Sequence, residues 1–405
     1  MVHLGRKDRS VMLIIGSNIP QVDVVGAETT LISSASTDAV GNYYSRPFSK
    51  MLTSSLVVLG YCKDSGNQSG TILGASISGT TITPDASSST DLVTISGWGN
   101  SLSVIDTALR YNDTSIVIPK LGYAGGSNTK HLARAIYNSG SAFTLNANQI
   151  QADDAHIRSM GIASIDSTYG LMAWATDIFT GGVTVTSIKI AVVTLSSPSV
   201  GTVYSISTSP SQMFIRGVVV FDSTYAVVVY QSGSELLARL VTMSGTTIST
   251  VGSAVDTTAV SVSGYIWSIE RINSTTAYLY VTDGNYPTDR HIRVYPINLS
   301  GGAITMGSSF IAVNNTTAMS NTPSNNMTLA PLSAGTVGLY SDPDDSYYPY
   351  FIFRIGVEFK NSYKLFSEPA LILDATALTD KKILMIYAKT RGTRVPIYGR
   401  VITLK

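Results

Sequence analysis

The sequence predicts an all-β fold: a seven-bladed β-propeller of four-stranded antiparallel blades, its ring closed by N- and C-terminal strands. Three observations predict it. Short apolar strands ending in an aromatic recur along all 405 residues. Two-residue hairpin turns built on Ser-Gly fall at a fixed place after many of them. No stretch shows helical periodicity, and the strands are rich in Val, Ile, Thr and Tyr, which excludes the α/β and all-α classes.

The aromatic-ended strands count the blades. They are Leu56-Val57-Val58-Leu59-Gly60-Tyr61, Lys120-Leu121-Gly122-Tyr123, Leu171-Met172-Ala173-Trp174, Val227-Val228-Val229-Tyr230, Ala277-Tyr278-Leu279-Tyr280, Val337-Gly338-Leu339-Tyr340 and Leu384-Met385-Ile386-Tyr387. The intervals from aromatic to aromatic run from 47 to 62 residues. Their mean is about 54, so seven units account for nearly the whole chain.

The turns come next. They are Ile77-Ser78-Gly79-Thr80, Tyr137-Asn138-Ser139-Gly140, Met243-Ser244-Gly245-Thr246 and Leu299-Ser300-Gly301-Gly302. Gly at such a turn supplies the positive φ that primed hairpins require, so the chain reverses between antiparallel neighbours. Ser196-Ser197-Pro198-Ser199 and Lys360-Asn361-Ser362 take the same place in two other units. An alternating apolar strand precedes the aromatic-ended one, plainest in Met213 to Phe221 and Tyr265 to Ile272. Each unit therefore reads as the aromatic-ended strand, a second before the turn, a third after it, and a fourth leading to the next unit.

The ends read as one shared blade. Residues 380–405 hold one aromatic-ended strand and one more, Val395 to Leu404, and stop where a turn is due. Thr29 to Ser34 is expected as the missing third strand and Arg46 to Leu52 as the fourth, so that no sheet edge is left open. The propeller is thus assigned to residues 25–405, with the last blade shared between about 25–54 and 380–405. Residues 1–24 are left as an N-terminal arm or extension. Two readings of it stand: an arm that docks on another subunit, and a strand packed on the propeller's own rim.

Composition narrows function by exclusion. Lys and Arg number 27 against 26 Asp and Glu, and charged residues make up only 13% of the chain. There is no basic field for nucleic acid and no acidic tail. The hydrophobic share of 44% supports a large core, and the polar remainder is mostly Ser, Thr, Asn and Gly. The single cysteine, Cys62, excludes an internal disulfide and a Cys-based zinc site, and reads as a small buried thiol at a strand end. The apolar run Val11 to Ile15 is too short for a signal-peptide core or a membrane span, so a soluble protein without an ordinary cleaved signal is expected.

Catalytic signatures are missing: no Gly-x-Ser-x-Gly elbow, no His-Glu-x-x-His, no P-loop and no dinucleotide glycine pattern. His3, His131, His156 and His291 are too scattered for a ligand set. Asp342-Pro343-Asp344-Asp345 comes nearest to a calcium loop, and its proline and spacing are wrong for one. No cofactor, no metal and no enzymatic activity are expected.

What stands out is one face. The loops after the aromatic-ended strands all emerge on the same side: Lys63 to Gly70, Ala124 to Lys130, Asp177 to Thr184, Asp283 to His291, Ser341 to Tyr350 and Lys389 to Thr393. They and their flanks carry Tyr286, Asp289, Arg290, His291, Asp342, Asp344, Asp345, Tyr347, Tyr348, Arg391 and Arg394. Tyr and Arg are enriched at binding hot spots, which makes this the candidate binding face; ordinary solvated loops are the plainer alternative.

A Ser/Thr/Asn/Gly-rich all-β repeat with few charges, no cysteine pairs and no export signal resembles the propeller-bearing tail, nozzle and fibre proteins of tailed bacteriophages. The resemblance covers the whole chain in composition and repeat style, and carries no functional residue with it. It implies a structural or host-attachment component of the virion, made in the host cytoplasm and present in multiple copies. Its implied partners are other virion proteins and a host-surface glycan or receptor, with no nucleic acid and no membrane insertion. The rival reading is a carbohydrate-binding or polysaccharide-degrading propeller acting at a cell surface. There the loop aromatics stack on sugars, and Asp342 with Asp344 or Asp345 supplies acid and base.

Overall fold

The structure is a computed structural model, and it describes residues 20–35, 47–62, 70–93, 108–124, 127–152, 156–180, 183–209, 213–233, 235–257, 266–285, 289–315, 328–342, 348–355, 358–390 and 395–405. The fold is a seven-bladed β-propeller of four-stranded antiparallel blades. We letter the strands A to D from the inside of each blade outward.

Blade 1 comprises Phe48–Thr53, Leu56–Cys62, Gly70–Ser78 and Thr81–Val93. Blade 2 comprises Leu109–Asn112, Ser115–Ala124, Ser127–Asn138 and Ser141–Ala152. Blade 3 has His156–Ser164, Tyr169–Thr180 and Val183–Thr194, with an outer strand in two pieces, Ser199–Val200 and Tyr204–Ser209. Blade 4 has Met213–Val220, Tyr225–Ser232, Glu235–Ser244 and the split outer strand Thr247–Val251 with Val255–Asp256. Blade 5 has Ile266–Arg271, Thr276–Asn285, Asp289–Ser300 and the split Ala303–Met306 with Phe310–Asn315. Blade 6 comprises Thr328–Leu332, Gly335–Asp342, Tyr348–Ile355 and Glu358–Lys364.

Blade 7 closes the ring. Its strands A to C are Leu371–Thr379, Lys382–Ala388 and Val395–Leu404, and its outer strand is N-terminal, Val22–Val25 with Thr29–Ala35. Val22 lies opposite Leu404, and Ala35 opposite Val395. The Lys405 amide extends the ladder by donating to the Gln21 carbonyl at 2.8 Å. An inner tie matches the outer one. Asp374 of strand A accepts from the Ser49 amide (2.6 Å) and hydroxyl (3.0 Å) of blade 1, and from Thr328 Oγ1 (3.1 Å) of blade 6.

Several sequence-based expectations change. The strand before each aromatic-ended one is the innermost strand of the same blade, not the last of the preceding unit, so the unit is offset by one strand. Accordingly Thr29–Ala35 supplies the outer strand of blade 7, and Phe48–Thr53 begins blade 1 instead of ending blade 7. Residues 22–24 belong to the ring, while residues 1–19 of the expected arm lie outside the described residues. Lys360-Asn361-Ser362 is not a turn: it lies within Glu358–Lys364, and the reversal falls between Ile355 and Glu358. The sequence itself carries a turn-favouring residue, Gly356, between these two paired positions, which competes with the polar triplet.

Packing explains the sequence pattern. Each blade buries both faces against neighbours, so middle strands read as unbroken apolar runs rather than alternating ones. Val57, Leu59 and Tyr61 face the core shared with blade 7, whereas Val58 faces that of blades 2 and 3. The repeated aromatics Tyr61, Trp174, Tyr230, Tyr280, Tyr340 and Tyr387 are all buried. Innermost strands meet closely where they carry glycine: a Cβ on Gly217 of blade 4 would collide with Ile269 of blade 5.

Candidate functional site

Antiparallel strands alternate direction, so A–B and C–D turns lie on one face and the B–C hairpins and D-to-A connections on the other. The turn face is closed on itself. Asp222 Oδ1 accepts the amides of Thr224 (2.7 Å) and Tyr225 (2.8 Å), and Asp166 does the same for Thr168 (2.6 Å) and Tyr169 (2.8 Å). Asn112, Asn273, Thr53 and Thr379 hold their own turns by the same two-residue reach. The turn's last carbonyl then accepts an amide from near the end of strand C, as Thr224 does from Met243 at 2.7 Å. With its polar groups engaged in the turns, this face is a weak candidate for ligands.

On the hairpin face the predicted residues divide. Tyr286, Asp344, Asp345, Tyr347, Arg391 and Arg394 lie outside the described residues. Asp289, Arg290, His291 and Asp342 are strand residues rather than loop residues, paired with Asn285, Gly284, Asp283 and Tyr348. The ladders of blades 2, 3 and 5 run on to Ala124, Thr180 and Asn285 and resume at Ser127, Val183 and Asp289. What reads as long loops in those blades is projecting hairpin. Tyr348 alone has a described side chain; it is half-buried, with Lys364 Nζ 3.9 Å from its ring centroid.

Tyr348 begins a strip that crosses from blade 6 to blade 7. Lys364 ends strand D of blade 6, and the Leu365 amide bonds to the Pro349 carbonyl at 2.9 Å. Two residues on, the ring of Phe366 lies under the Arg400 guanidinium at 4.5 Å and beside Tyr387 at 5.8 Å. Tyr387 is 5.7 Å from Tyr398, over which Lys389 Nζ sits at 4.9 Å.

Charges fasten the blade 7 end. Tyr387 donates to Glu28 Oε2 (2.5 Å), and Arg400 Nε donates to the Tyr387 hydroxyl (2.9 Å). Lys389 Nζ bridges Glu28 (2.9 Å) and Glu368 (3.6 Å), while Arg400 Nη2 reaches Glu28 (3.7 Å) and Glu368 (3.4 Å). Burial pushes the Glu28 carboxyl up, but its bonds from Lys389 and Tyr387 and the charges of Lys389 and Arg400 outweigh this and hold it below its usual range. Burial, then the bond to Glu28, pushes the Tyr387 hydroxyl far up. The bond to Glu28 raises Lys389. Glu28 is therefore anionic, Tyr387 protonated and Lys389 cationic at neutral pH.

No family model and no curated protein matches the chain. Solved structures are similar to it at low identity. A prolyl endopeptidase is 11% identical, with 91% of this chain and 47% of that one covered and a TM-score of 0.48, so the chain spans about half of its length. An α-L-arabinanase of Penicillium chrysogenum, complexed with arabinobiose, is 10% identical over 94% and 99% of the two chains, with a TM-score of 0.45. The NanB sialidase of Streptococcus pneumoniae is 10% identical over 92% and 70%, at 0.48.

The repeat itself offers a sharper comparison. In blade 4, Arg239 Nε donates to the Tyr230 hydroxyl (3.1 Å) and Nη1 to the Gly252 carbonyl (3.2 Å). In blade 7, Arg400 makes the same pair of bonds to Tyr387 and to the Gly26 carbonyl (3.2 Å). Gly252 and Gly26 each donate in turn to the residue after the arginine, Leu240 and Val401. Two residues beyond that glycine stands Ala254 in blade 4 and Glu28 in blade 7. Among the described residues Arg239 has no carboxylate partner. Sequence reasoning missed Glu28, Phe366, Glu368, Lys389, Tyr398 and Arg400, and aligning blade 4 on blade 7 is the signal that finds Arg400 and Glu28.

Proposed function

We propose that the protein is a carbohydrate-binding propeller acting at a surface, and that it meets its ligand on the hairpin face where blades 6 and 7 join. One observation carries this reading. The Tyr-Arg-glycine tie holds blade 4 without any acid, yet blade 7 adds Glu28, Lys389 and Glu368 to it and sets them beside the half-buried rings of Phe366 and Tyr398. Sugars carry apolar ring faces that stack on aromatic side chains, and hydroxyls that need fixed donors and acceptors. This strip offers both. At its blade 7 end two acids, Glu28 and Glu368, face two cations, Lys389 and Arg400, which suits a neutral polyol better than a strongly charged ligand. Glu28 is held ionised, which makes it a fixed acceptor for a sugar hydroxyl near neutrality. The reading takes no residue and no reaction from the arabinanase or the sialidase.

The test is a glycan array probed with the purified protein, with Phe366→Ala and Tyr398→Ala beside it. Binding by the parent, reduced at least about tenfold in each variant, is the expected result. A parent that binds no glycan overturns it. The second reading, a docking component of a phage particle, is favoured by a chain only 13% charged and rich in hydroxyls and amides. It predicts instead co-sedimentation with phage particles.

A further inference from the structure

The binding strip contains one residue from the far end of the chain. Glu28 lies between Val22–Val25 and Thr29–Ala35, the two pieces of the only outer strand among the described blades that no C–D turn joins to its own strand C. In other blades a turn such as Ser244-Gly245 holds the outer strand in place covalently. In blade 7 the outer strand stays by its ladder to Val395–Leu404, by Leu31, Ile32 and Ala35 in the core shared with blade 1, and by Glu28. The ladder is irregular, with shifts between Val22 and Val24, between Thr30 and Ile32 and between Ile32 and Ala35.

We infer that Glu28 is a latch residue: it fastens the N-terminal outer strand to blade 7 and, in the same contacts, positions Arg400 and Lys389 for ligand. Site assembly and ring closure are then one equilibrium, because a released strand takes Glu28 away and leaves Lys389 and Arg400 with Glu368 alone. The inference rests on the proposed binding strip for its second half only. Its first half concerns the strand and needs no ligand.

Hydrogen exchange of the full chain, read by mass spectrometry, separates the two. Glu28→Gln keeps an acceptor for Tyr387 and removes the charge that Lys389 and Arg400 face. It should raise exchange in residues 22–35 at least about tenfold while leaving blades 3 to 5 unchanged, and should lower array binding by a similar factor. Lys389→Met removes the opposite partner and should do the same, which keeps the test decisive if one variant folds poorly. Unchanged exchange in residues 22–35 in both variants overturns the latch. Faster exchange with undiminished glycan binding overturns the coupling and spares the binding reading. A parent that binds no glycan overturns the binding reading and the coupling with it, and the exchange result still decides the latch.

Discussion

Arg354 and Glu270 form an ion pair between blades 5 and 6 at 3.0 Å, with side chains 6% and 9% exposed. Tyr280 donates to Glu270 Oε2 (2.9 Å), Thr336 donates to Oε1, and Arg354 Nη2 donates to Thr336 (2.7 Å). A buried pair adds little net stability, but removing one partner strands the other. Arg354→Met should therefore cost about 3–5 kcal/mol in urea unfolding, and Glu270→Leu added to it should recover most of the loss. A loss below about 1 kcal/mol in the single variant would contradict this account. Glu28 contributes to the acid limb. Its folded carboxyl titrates below the ordinary 4.5, so its contribution is full above that value and is lost as pH falls through the folded one. Stability of the parent should thus fall more steeply between about pH 5 and 3 than that of Glu28→Gln. Parallel curves would show that Glu28 is uncoupled from folding.

At the scale of single elements, the A–B turns make the clearest prediction. Asp222→Ala removes two bonds from a carboxylate to backbone amides and should cost about 1–2 kcal/mol, whereas Asp222→Asn should cost under about 0.5, both read from denaturation midpoints. Equal losses would mean the charge, not the acceptor, holds the turn. Elements were largely legible in the sequence because each rests on local chemistry. Gly79, Gly140, Gly245 and Gly301 sit at φ between 57° and 72°, the conformation their Ser-Gly context predicts. The aromatic-ended strands fall where their apolar runs place them. Less legible was where a loop begins: Asp289, Arg290 and His291 look like loop residues by polarity, yet pair as strand because ladder bonds continue past the buried layer. The Asp-Ser-Thr turns at 166–168 and 222–224 repeat openly in the sequence and mark the A–B boundary, so they also fix the blade phase that the aromatic count alone leaves open.

For the whole molecule, blade number followed from spacing, while the manner of closure depends on contacts between residues more than 350 positions apart, such as Glu28 with Tyr387. No local pattern encodes those. The proposed binding strip was hidden for the same reason, since Glu28, Glu368 and Arg400 meet only once the ring is shut. Closure also predicts two variants. Deleting Val395–Leu404 removes the strand that Lys382–Ala388 and both N-terminal pieces pair with, and should give aggregates on size exclusion instead of a monomer of lower stability. Conversely, Lys405 and Gln21 are already ladder neighbours, so an Asn-Gly link between them in a chain from which residues 1–20 are removed, with new ends opened between Ala35 and Pro47, restores the hairpin that other blades have. That permutant should fold, melt no lower than the parent and lose the dependence of residues 22–35 on Glu28. A permutant that fails to fold would mean the register at Leu404 and Val22 is not that of a hairpin.

The non-covalent outer strand also sets a schedule. Thr29–Ala35 leaves the ribosome some 360 residues ahead of Val395–Leu404, the strand it must pair with. At roughly 5–20 residues per second the interval is on the order of 20–70 s. During that time Leu31 and Ile32 have no native partner strand, and only at its end do six blades stand beside a seventh that still lacks its third strand. Nascent-chain quality control thus meets this protein as an open arc until Val395–Leu404 emerges and takes up its N-terminal partner.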